Sequence, residues 1–370
     1  MVNFLRPYSL KELCDISGAT SFKGSSDVVV EGINTLSEAN TQELSFLAED
    51  EHVNNFKSLQ DVIATKASIV LINSAHDIAG IENNVISHEN PRVGISNILS
   101  ECCVNNSSLI CPGEIDKTAT VSANNVSISS GVSIGANVVI GAKCTIGPNV
   151  TIMANVVIDD NVTIGAGSLI YPNVSIYKGV YIGKECVIQS GAVIGSNGFG
   201  YARTETAKWQ YIPQLAVVKL GDGVHIGANT CVDRGFIEDT VVGDGCIIDN
   251  QIQVGHNVKI GEDTAIAGCS AIAGSSKIGK RCMFGGGVGI AGHISICDDV
   301  MLTATTNVNR SITEPGVYSS GMHAKPRTLW QKSIARFYRL DDMAKKIRVL
   351  EKGYATILSL TKKEVEKNSA

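Results

Sequence analysis

Aliphatic residues recur at every sixth position through the middle of the chain. Isoleucine holds this position twelve times in succession from Ile128 to Ile194, and a second run keeps the same spacing from Val242 to Leu302. This period is neither that of a helix nor that of an alternating strand. It is typical of a parallel β-helix, in which each short strand buries its apolar face only by stacking on neighbouring coils. The pattern therefore predicts a solenoid whose three-sided coils each contain three six-residue blocks, or 18 residues.

The period is interrupted at two places. An insertion that contains several aromatic residues separates Ile194 from Leu220, and the spacing slips by four residues between Val232 and Val242, around the sequence Asp-Arg-Gly. In a solenoid, departures from the repeat are loops on one face, and that face often binds a ligand.

The first 110 residues lack the repeat and are predicted to form a small α/β domain. Ser9 and Glu12 form a capping box that begins a helix ending near Gly18. Strands are expected at residues 28–33 and 67–72, and an amphipathic stretch follows Pro91. Within these 110 residues there is neither a G-x-G-x-x-G nor a P-loop motif, so a sugar nucleotidyltransferase or a P-loop protein has little support.

The end of the chain is predicted to be helical, with two helices over residues 328–366. Apolar residues in the second helix alternate at spacings of four and three, which is the pattern of a coiled-coil seam; they are Met343, Ile347, Leu350, Tyr354 and Ile357. The same segment is basic. It is therefore either the solvated face of an oligomerising helix or a docking surface for an acidic protein, and the two roles are compatible on opposite faces.

The sequence thus predicts a mainly β fold in three parts: an α/β domain at residues 1–110, a β-helix at 111–313 and C-terminal helices at 314–370. The net charge of −5 argues against nucleic acid as the main partner. No apolar run approaches the roughly 18 residues of a membrane span, and the N-terminus does not have the pattern of a signal peptide. We therefore expect a cytoplasmic protein. No CxxC pair occurs among the eleven cysteines, and those that lie four residues after an inward aliphatic residue are expected to be reduced core residues; they are Cys144, Cys186, Cys246 and Cys282.

One corner of the predicted solenoid combines residues suited to catalysis. Steps of 18 residues from His256 lead to Gly274 and then to Gly292, which His293 follows. A neutral imidazole beside a glycine corner offers a general base next to exposed backbone N–H groups, which can stabilise an oxyanion. Asp249, seven residues earlier, is a candidate to orient the ring, although Asp is also common at turns. Only two histidines fit this register, so a three-histidine metal site is not expected.

The motifs around this corner resemble those of the UDP-3-O-(3-hydroxyacyl)glucosamine N-acyltransferases of lipid A biosynthesis. The resemblance rests on DNQIQVGHNVKIGEDTAIAG, IGKRCMFGGGVGIAGH and ITEPGVYSSG, and also on NGFGYA, IPQ and VDRG. It covers nearly the whole chain and implies a left-handed parallel β-helix assembled as a homotrimer, with an N-terminal uridine-binding domain.

The resemblance also implies the reaction: a 3-hydroxyacyl chain passes from acyl carrier protein to the 2-amino group of UDP-3-O-acylglucosamine. No metal or redox cofactor is implied, since the phosphopantetheine arm belongs to the carrier protein. His256 would be the general base, Gly274 would supply the oxyanion amide, and His293 would contact substrate. Further substrate contacts are expected at Phe46, His52, Asn197, Phe199, Tyr201, Asp249, Asn250 and Gln253. Carrier-protein docking is expected at Arg310, Lys325, Arg336 and Arg339.

The chain departs from the family where the uracil is expected to stack. The family motif resembles FxxNPKY, whereas Phe46 is followed here by an acidic segment that ends at His52. Three alternatives remain open: the related O-acyltransferase of the same pathway, an acetyl-CoA-dependent sugar N-acetyltransferase, and a non-enzymatic β-helical scaffold. The N-terminal domain counts against the first, and the histidine–glycine corner counts against the last.

Overall fold

The computed structural model describes residues 2–47, 59–78, 80–103, 113–321 and 323–367. The chain divides into two compact units, Met1–Leu109 and Ile110–Ala370. The N-terminal unit is an α/β domain, and the C-terminal unit contains the solenoid and the final helices.

The N-terminal unit is built on a six-stranded sheet with three helices. Its elements are β1 Val2–Ser9, α1 Leu10–Ser17, β2 Ser21–Lys23, β3 Val29–Ile33, β4 Glu43–Phe46, α2 Leu59–Ala64, β5 Ile69–Asn73, β6 Asn84–His88 and α3 Pro91–Cys102. The sheet order is β1-β3-β4-β5-β6-β2, with parallel pairing from β3 to β6 and an antiparallel strand at each edge.

The predicted capping box is present at the start of α1. The Glu12 backbone N–H donates to Ser9 Oγ, and the Glu12 carboxylate accepts the Ser9 backbone N–H. The helix ends at Gly18, whose left-handed conformation (φ 78°) suits a residue without a Cβ. The helix expected from Ser9 to Gly18 is therefore confirmed.

The solenoid is a three-sided stack of short parallel strands. They are β7 Thr120–Val121, β8 Ser127–Ile128, β9 Ser133–Ile134, β10 Val139–Ile140, β11 Thr145–Ile146, β12 Thr151–Ile152, β13 Val157–Ile158, β14 Thr163–Ile164, β15 Leu169–Ile170, β16 Ser175–Ile176, β17 Tyr181–Ile182, β18 Val187–Ile188, β19 Val193–Asn197, β20 Tyr201–Arg203, β21 Trp209–Tyr211, β22 Val218–Leu220, β23 His225–Ile226, β24 Cys231–Arg234, β25 Thr240–Val242, β26 Ile247–Ile248, β27 Gln253–Val254, β28 Lys259–Ile260, β29 Ala265–Ile266, β30 Ala271–Ile272, β31 Lys277–Ile278, β32 Met283–Phe284, β33 Gly289–Ile290, β34 Ser295–Ile296, β35 Val300–Leu302, β36 Asn307–Val308 and β37 Gly316–Tyr318.

These strands form parallel sheets of ten, nine and ten members, while β20 and β21 make a separate antiparallel hairpin. The repeated aliphatic residues face inward, and Ile140 pairs with Ile158 one coil later. Strand Gly316–Tyr318 extends the stack past residue 313. The predicted mainly β solenoid, with its small α/β region and terminal helices, is therefore confirmed. The solenoid forms because the six-residue period places one buried aliphatic residue on each side of every coil.

Side chains at several corners accept hydrogen bonds from backbone N–H groups of the preceding coil. A backbone N–H in one coil donates to an Asp or Asn oxygen at the matching corner of the next coil. The pairs are Ala142 with Asp160, Lys184 with Asp222, Asp222 with Asp244, Ala228 with Asn250 and Lys280 with Asp298, at 2.6–2.9 Å. We refer to these contacts as corner caps. They satisfy turn amides that no strand pairing reaches.

The thiols inside the solenoid are free and buried. Cys144, Cys186, Cys246 and Cys282 have no measurable exposure. Burial raises the pKa of Cys246 to about 11, and its Sγ donates to the Gly261 carbonyl at 3.1 Å. These cysteines therefore act as small apolar core residues.

The two interruptions of the repeat lengthen the coils in which they occur, but the strands on either side still stack on each other. Ile182 pairs with Leu220, and Leu220 pairs with Val242. The hairpin β20–β21 lies within the first, longer insertion. Strand pairing therefore resumes in register after each insertion.

Two helices end the C-terminal unit, α4 Arg327–Phe337 and α5 Leu340–Lys367, as predicted. The apolar seam of α5 is exposed, with 70% of Leu350 and 62% of Ile357 open to solvent in the single chain. No helix within the described part of the chain is both long and apolar enough to cross a membrane.

Candidate active site

A groove on the solenoid runs across four successive coils. It has a volume of about 1020 Å³, and its floor follows one column of outward positions on neighbouring strands: Gln253, Ala271, Gly289 and Asn307. The centre of this floor carries only Ala and Gly side chains, whereas Asn307 and Asn309 make one end polar. The groove is therefore suited to an extended apolar chain.

His256 lies at a corner of this groove and its ring rests against Gly274. A Cβ at Gly274 would lie 2.6 Å from His256 Nε2 and 2.8 Å from Cε1, so only glycine leaves room for the imidazole. Gly198, from the end of β19, approaches the other side, where an added Cβ would lie 2.7 Å from His256 Cβ. The ring is therefore held between two glycines on different coils.

Asn257 determines which nitrogen of His256 carries the proton. Its Nδ2 donates to the Glu238 carbonyl at 2.8 Å, and its Oδ1 accepts the Phe236 N–H at 3.0 Å. The same Oδ1 lies 2.9 Å from His256 Nδ1. Because Oδ1 can only accept, Nδ1 must donate, and the neutral ring then carries its lone pair on Nε2. The Nε2 atom beside Gly274 is therefore the basic nitrogen.

The backbone amide of Gly274 lacks a corner cap. The residue one coil later is Gly292, which has no side chain to accept the Gly274 N–H. Neighbouring groups are paired: Ser275 N–H donates to the His256 carbonyl at 2.8 Å, and His293 N–H donates to the Gly274 carbonyl at 3.2 Å. Within the described part of the chain the Gly274 N–H has no hydrogen-bond acceptor, and it belongs to the residue that the imidazole contacts, as an oxyanion site requires.

Asp233 is a groove residue that the sequence analysis did not place among the candidate site residues. Its Oδ1 accepts from Ser196 Oγ at 2.9 Å, and its Oδ2 accepts from Gln253 Nε2 at 2.8 Å. Burial raises its pKa above the ordinary value, while these two hydrogen bonds and the nearby His256 oppose that rise. Two signals in the sequence pointed to this position: the slip in the repeat around residue 233 and the VDRG motif that contains Asp233.

A second cavity of about 590 Å³ borders the other side of His256. Lys259, Lys277 and His293 line it together with Glu238, whose carboxylate pairs with Lys259 Nζ at 2.9 Å. Phe199 and Tyr201 line both cavities, with their ring centroids 5.3 Å apart. The imidazole thus lies between the groove with the alanine and glycine floor and a cavity lined by lysine and glutamate side chains.

The other predicted site residues fall into separate groups. Asn197 lines the apolar groove with Phe199, Tyr201 and Gln253, whereas Asp249 and Asn250 cap other corners by accepting the N–H groups of Gly268 and Ala228. Within the single chain these two lie outside both cavities.

Phe46 ends β4 in the N-terminal unit, half-buried against its core, and His52 lies outside the described residues. Arg310, Lys325, Arg336 and Arg339 are all exposed. Among the described residues no group of three or more His, Cys, Asp or Glu side chains is arranged to hold a metal ion.

Comparison with known proteins identifies the repeats. Residues 137–171 and 161–196 match the bacterial transferase hexapeptide (six repeats), and residues 277–308 match the hexapeptide repeat of succinyl-transferase. A UDP-3-O-acylglucosamine N-acyltransferase from Hahella chejuensis is 45% identical over 160 residues, or 43% of this chain and 46% of that protein. The match spans less than half the length of that relative. Over this segment the resemblance noted from the motifs is confirmed.

Solved structures of similar proteins are more distant. LpxA from Acinetobacter baumannii is 20% identical with a TM-score of 0.44, and UDP-N-acetylglucosamine acyltransferase from Arabidopsis is 16% identical with a TM-score of 0.46. Each comparison covers 56% of this chain and 71% of the other.

Proposed function

We propose that this chain is an N-acyltransferase that moves a 3-hydroxyacyl group from acyl carrier protein to the 2-amino group of UDP-3-O-acylglucosamine. The observation that carries the proposal is the contact of His256 with Gly274, which pairs a basic Nε2 atom with an uncapped backbone amide. The named function of the Hahella chejuensis relative supports the choice of acceptor.

In the proposed reaction the neutral amine attacks the carbonyl carbon of the thioester. His256 Nε2 accepts a proton from the nitrogen as the C–N bond forms, and the Gly274 N–H donates to the developing oxyanion. Collapse of the tetrahedral intermediate breaks the C–S bond, and the imidazolium returns the proton to the leaving thiolate. A single donor of the Gly274 kind contributes roughly 3–4 kcal/mol where such donors have been removed in other enzymes.

The groove and the surface charges support the proposed substrates. The alanine and glycine floor between His256 and Asn307 offers an apolar path for the acyl chain. The exposed basic residues of the C-terminal segment suit an acidic carrier protein, whose own phosphopantetheine would bring the thioester. A homotrimer, through the apolar seam of α5 and the solenoid faces, is part of the same proposal.

The test is an assay of purified protein with UDP-3-O-acylglucosamine and hydroxyacyl carrier proteins of several lengths. We expect His256→Ala to keep the thermal unfolding temperature and to lose about 10²- to 10⁴-fold in turnover. His225→Ala, at an exposed position on β23, is the matched control and should retain full activity.

Wild-type rates in His256→Ala would remove the general-base assignment. Acetyl-CoA as the productive donor, with the acyl carrier proteins inactive, would favour the N-acetyltransferase alternative. Absence of transfer from every donor, in protein that binds the UDP-sugar, would favour a binding scaffold.

A further inference from the structure

Asp233 enters the groove because the pairing of β19 with β24 shifts by one residue. Ile194 opposes Val232 in regular register, but Ser196 then opposes Asp233, so Gly195 is an extra residue in β19. Gly195 has a left-handed conformation (φ 94°), which a residue with a Cβ adopts only with strain. Such bulges redirect side chains near functional sites. Here the bulge places the Ser196 hydroxyl on the Asp233 carboxylate.

The Asp233 carboxylate has hydrogen-bond partners but no paired cation. Its two donors, the Ser196 hydroxyl and the Gln253 amide, are both neutral. Within the described ranges no Lys or Arg forms an ion pair with it. Half-burial of this carboxylate in the groove removes part of its hydration, which is unfavourable unless a positive group compensates it. Burial raises its pKa for the same reason.

We infer that Asp233 binds the amino group of the acceptor and holds it beside His256. This inference rests on the proposed acyl transfer and names a contact that selects amines. An acceptor amine that arrives as an ammonium ion supplies the cation that the groove lacks. Asp233 and His256 line the same groove, and His256 is near enough to act electrostatically on the Asp233 carboxyl. The inference places the acceptor nitrogen between these two side chains.

The number of hydrogens on an amine explains why two acceptors are needed. After the ammonium ion has released one proton to solvent, the neutral amine has two N–H bonds and one lone pair. One N–H donates to Asp233 and the other to His256 Nε2, so the lone pair is free to face the thioester carbon. His256 then removes its proton during attack, and the amide product keeps the N–H that Asp233 holds.

A hydroxyl acceptor would use this arrangement poorly. A hydroxyl has a single O–H, and donating it to His256 leaves the oxygen lone pairs facing the Asp233 carboxylate. Acceptor–acceptor contact of this kind is repulsive and leaves the carboxylate without its cation. Asp233 therefore gives the groove a preference for nitrogen over oxygen at the reacting position.

The experiment compares two ligands that differ only at the reacting atom. UDP-3-O-acylglucosamine carries an amine at carbon 2, and the matching UDP-3-O-acylglucose carries a hydroxyl. Binding of each to the wild type, Asp233→Asn and Ser196→Ala is measured by calorimetry near pH 6.5 in low salt. Asp233→Asn removes the charge and keeps the side-chain volume, whereas Ser196→Ala keeps the charge and removes one neutral donor.

We expect the wild type to prefer the amine by about tenfold to a hundredfold, the range for a hydrogen bond to a charged group. Asp233→Asn should bind the two ligands about equally, and Ser196→Ala should keep most of the preference. Retention of the full preference in Asp233→Asn, or its absence from the wild type, would overturn the inference.

Failure of the proposed acyl transfer gives a different result. If the wild type transfers no acyl group and binds neither UDP-sugar, the same comparison is made with free glucosamine and glucose by saturation-transfer NMR. A preference for glucosamine that Asp233→Asn abolishes would support the amine site without the proposed reaction. Equal signals from both sugars in the wild type would refute it. Circular dichroism melts of all three proteins show whether loss of binding reflects loss of fold.

Discussion

The Nδ1 atom of His256 lies 2.9 Å from the Oδ1 atom of Asn257, the next residue at the same corner. Replacing that amide by a carboxylate in Asn257→Asp would stabilise the protonated imidazole. The histidine would then hold its proton to higher pH, and the acid limb of the pH–rate profile should move upward. The measurement is the pH dependence of turnover under saturating donor.

Thr240→Val is the matched control for this variant. Thr240 Oγ1 accepts the Asn257 backbone N–H at 2.9 Å and does not bond the ring. This change should lower the free energy of unfolding by about 1–3 kcal/mol by leaving a buried amide unpaired. Its pH–rate profile should keep the wild-type shape. A profile for Asn257→Asp that also stays unchanged would contradict the role of Asn257.

The missing corner cap at Gly274 can be restored by mutation. Gly292→Asn places an amide oxygen where Asp298 and Asn250 accept turn amides at their own corners. The added oxygen should occupy the Gly274 N–H and reduce turnover by about 10²- to 10³-fold, as loss of an oxyanion donor does. A Cβ at Gly292 would lie 3.1 Å from the Gly274 carbonyl oxygen, so this tight contact offsets the new hydrogen bond and thermal stability should change little.

The control is the reverse change at another corner. Asp298→Gly removes the cap on the Lys280 N–H, away from the groove. It should lower the unfolding temperature and preserve turnover. Full activity in Gly292→Asn would show that the Gly274 amide does not contact the reacting oxygen.

The groove floor predicts which acyl chains fit. A Cβ at Gly289 would lie 2.7 Å from Asn307 Oδ1, so side chains at this position extend into the passage towards its polar end. Gly289→Leu should shift the preferred donor to shorter acyl chains, and Gly289→Ala should shift it less. Competition between carrier proteins with chains of graded length measures the preference. Identical preferences in both variants and the wild type would place the acyl chain elsewhere.

The capping box of α1 makes part of the stability of the fold dependent on pH. Hydrogen bonds from Arg6 and Ser9 lower the pKa of Glu12 from 4.5 to about 2. A carboxyl whose folded pKa is depressed stabilises the fold above pH 4.5, and this contribution disappears as pH falls towards 2. Glu12→Gln should therefore be less stable than the wild type at neutral pH, and the difference should vanish in that acid range.

Urea unfolding at a series of pH values measures this difference. Asp15→Asn, in the same helix but outside the Arg6 contact, is the control for the loss of one acidic side chain from α1. A difference in the free energy of unfolding between Glu12→Gln and the wild type that stays constant down to pH 2 would contradict the prediction.

Much of the fold follows from the six-residue period because it repeats one physical requirement. Each block must place an aliphatic residue inward and turn at a corner. Counting in steps of 18 residues is therefore enough to predict that His256, Gly274 and Gly292 stack on one another. The helix at Ser9 was equally accessible, since a capping box is a local pattern. These predictions needed no knowledge of contacts between distant residues.

The rest of the site depends on contacts that the period does not describe. Asp233 reaches the groove through a one-residue bulge at Gly195 in β19, which the sequence of β24 alone does not reveal. Asn257 orients the imidazole only because the loop at Phe236 supplies partners that hold its amide. Asp249 was expected near the ring from its distance along the chain, but the structure puts it on a different side of the coil, where it bonds Gly268. Its predicted contact with substrate stays a prediction.

The four cysteine thiols buried inside the coils can report whether the solenoid is intact, because reagents reach them only when it opens. With the Cys246 thiol held in its protonated form by burial, alkylating reagents and mild oxidants meet almost no thiolate there until the coils separate. The exposed Cys269 and the half-buried Cys103, Cys231 and Cys297 would react first and set a baseline. Later labelling at Cys144, Cys186, Cys246 and Cys282, located by peptide mapping, would then follow the opening of the solenoid. Its kinetic lifetime could thus be read in plain buffer, without denaturant and without any assay of function.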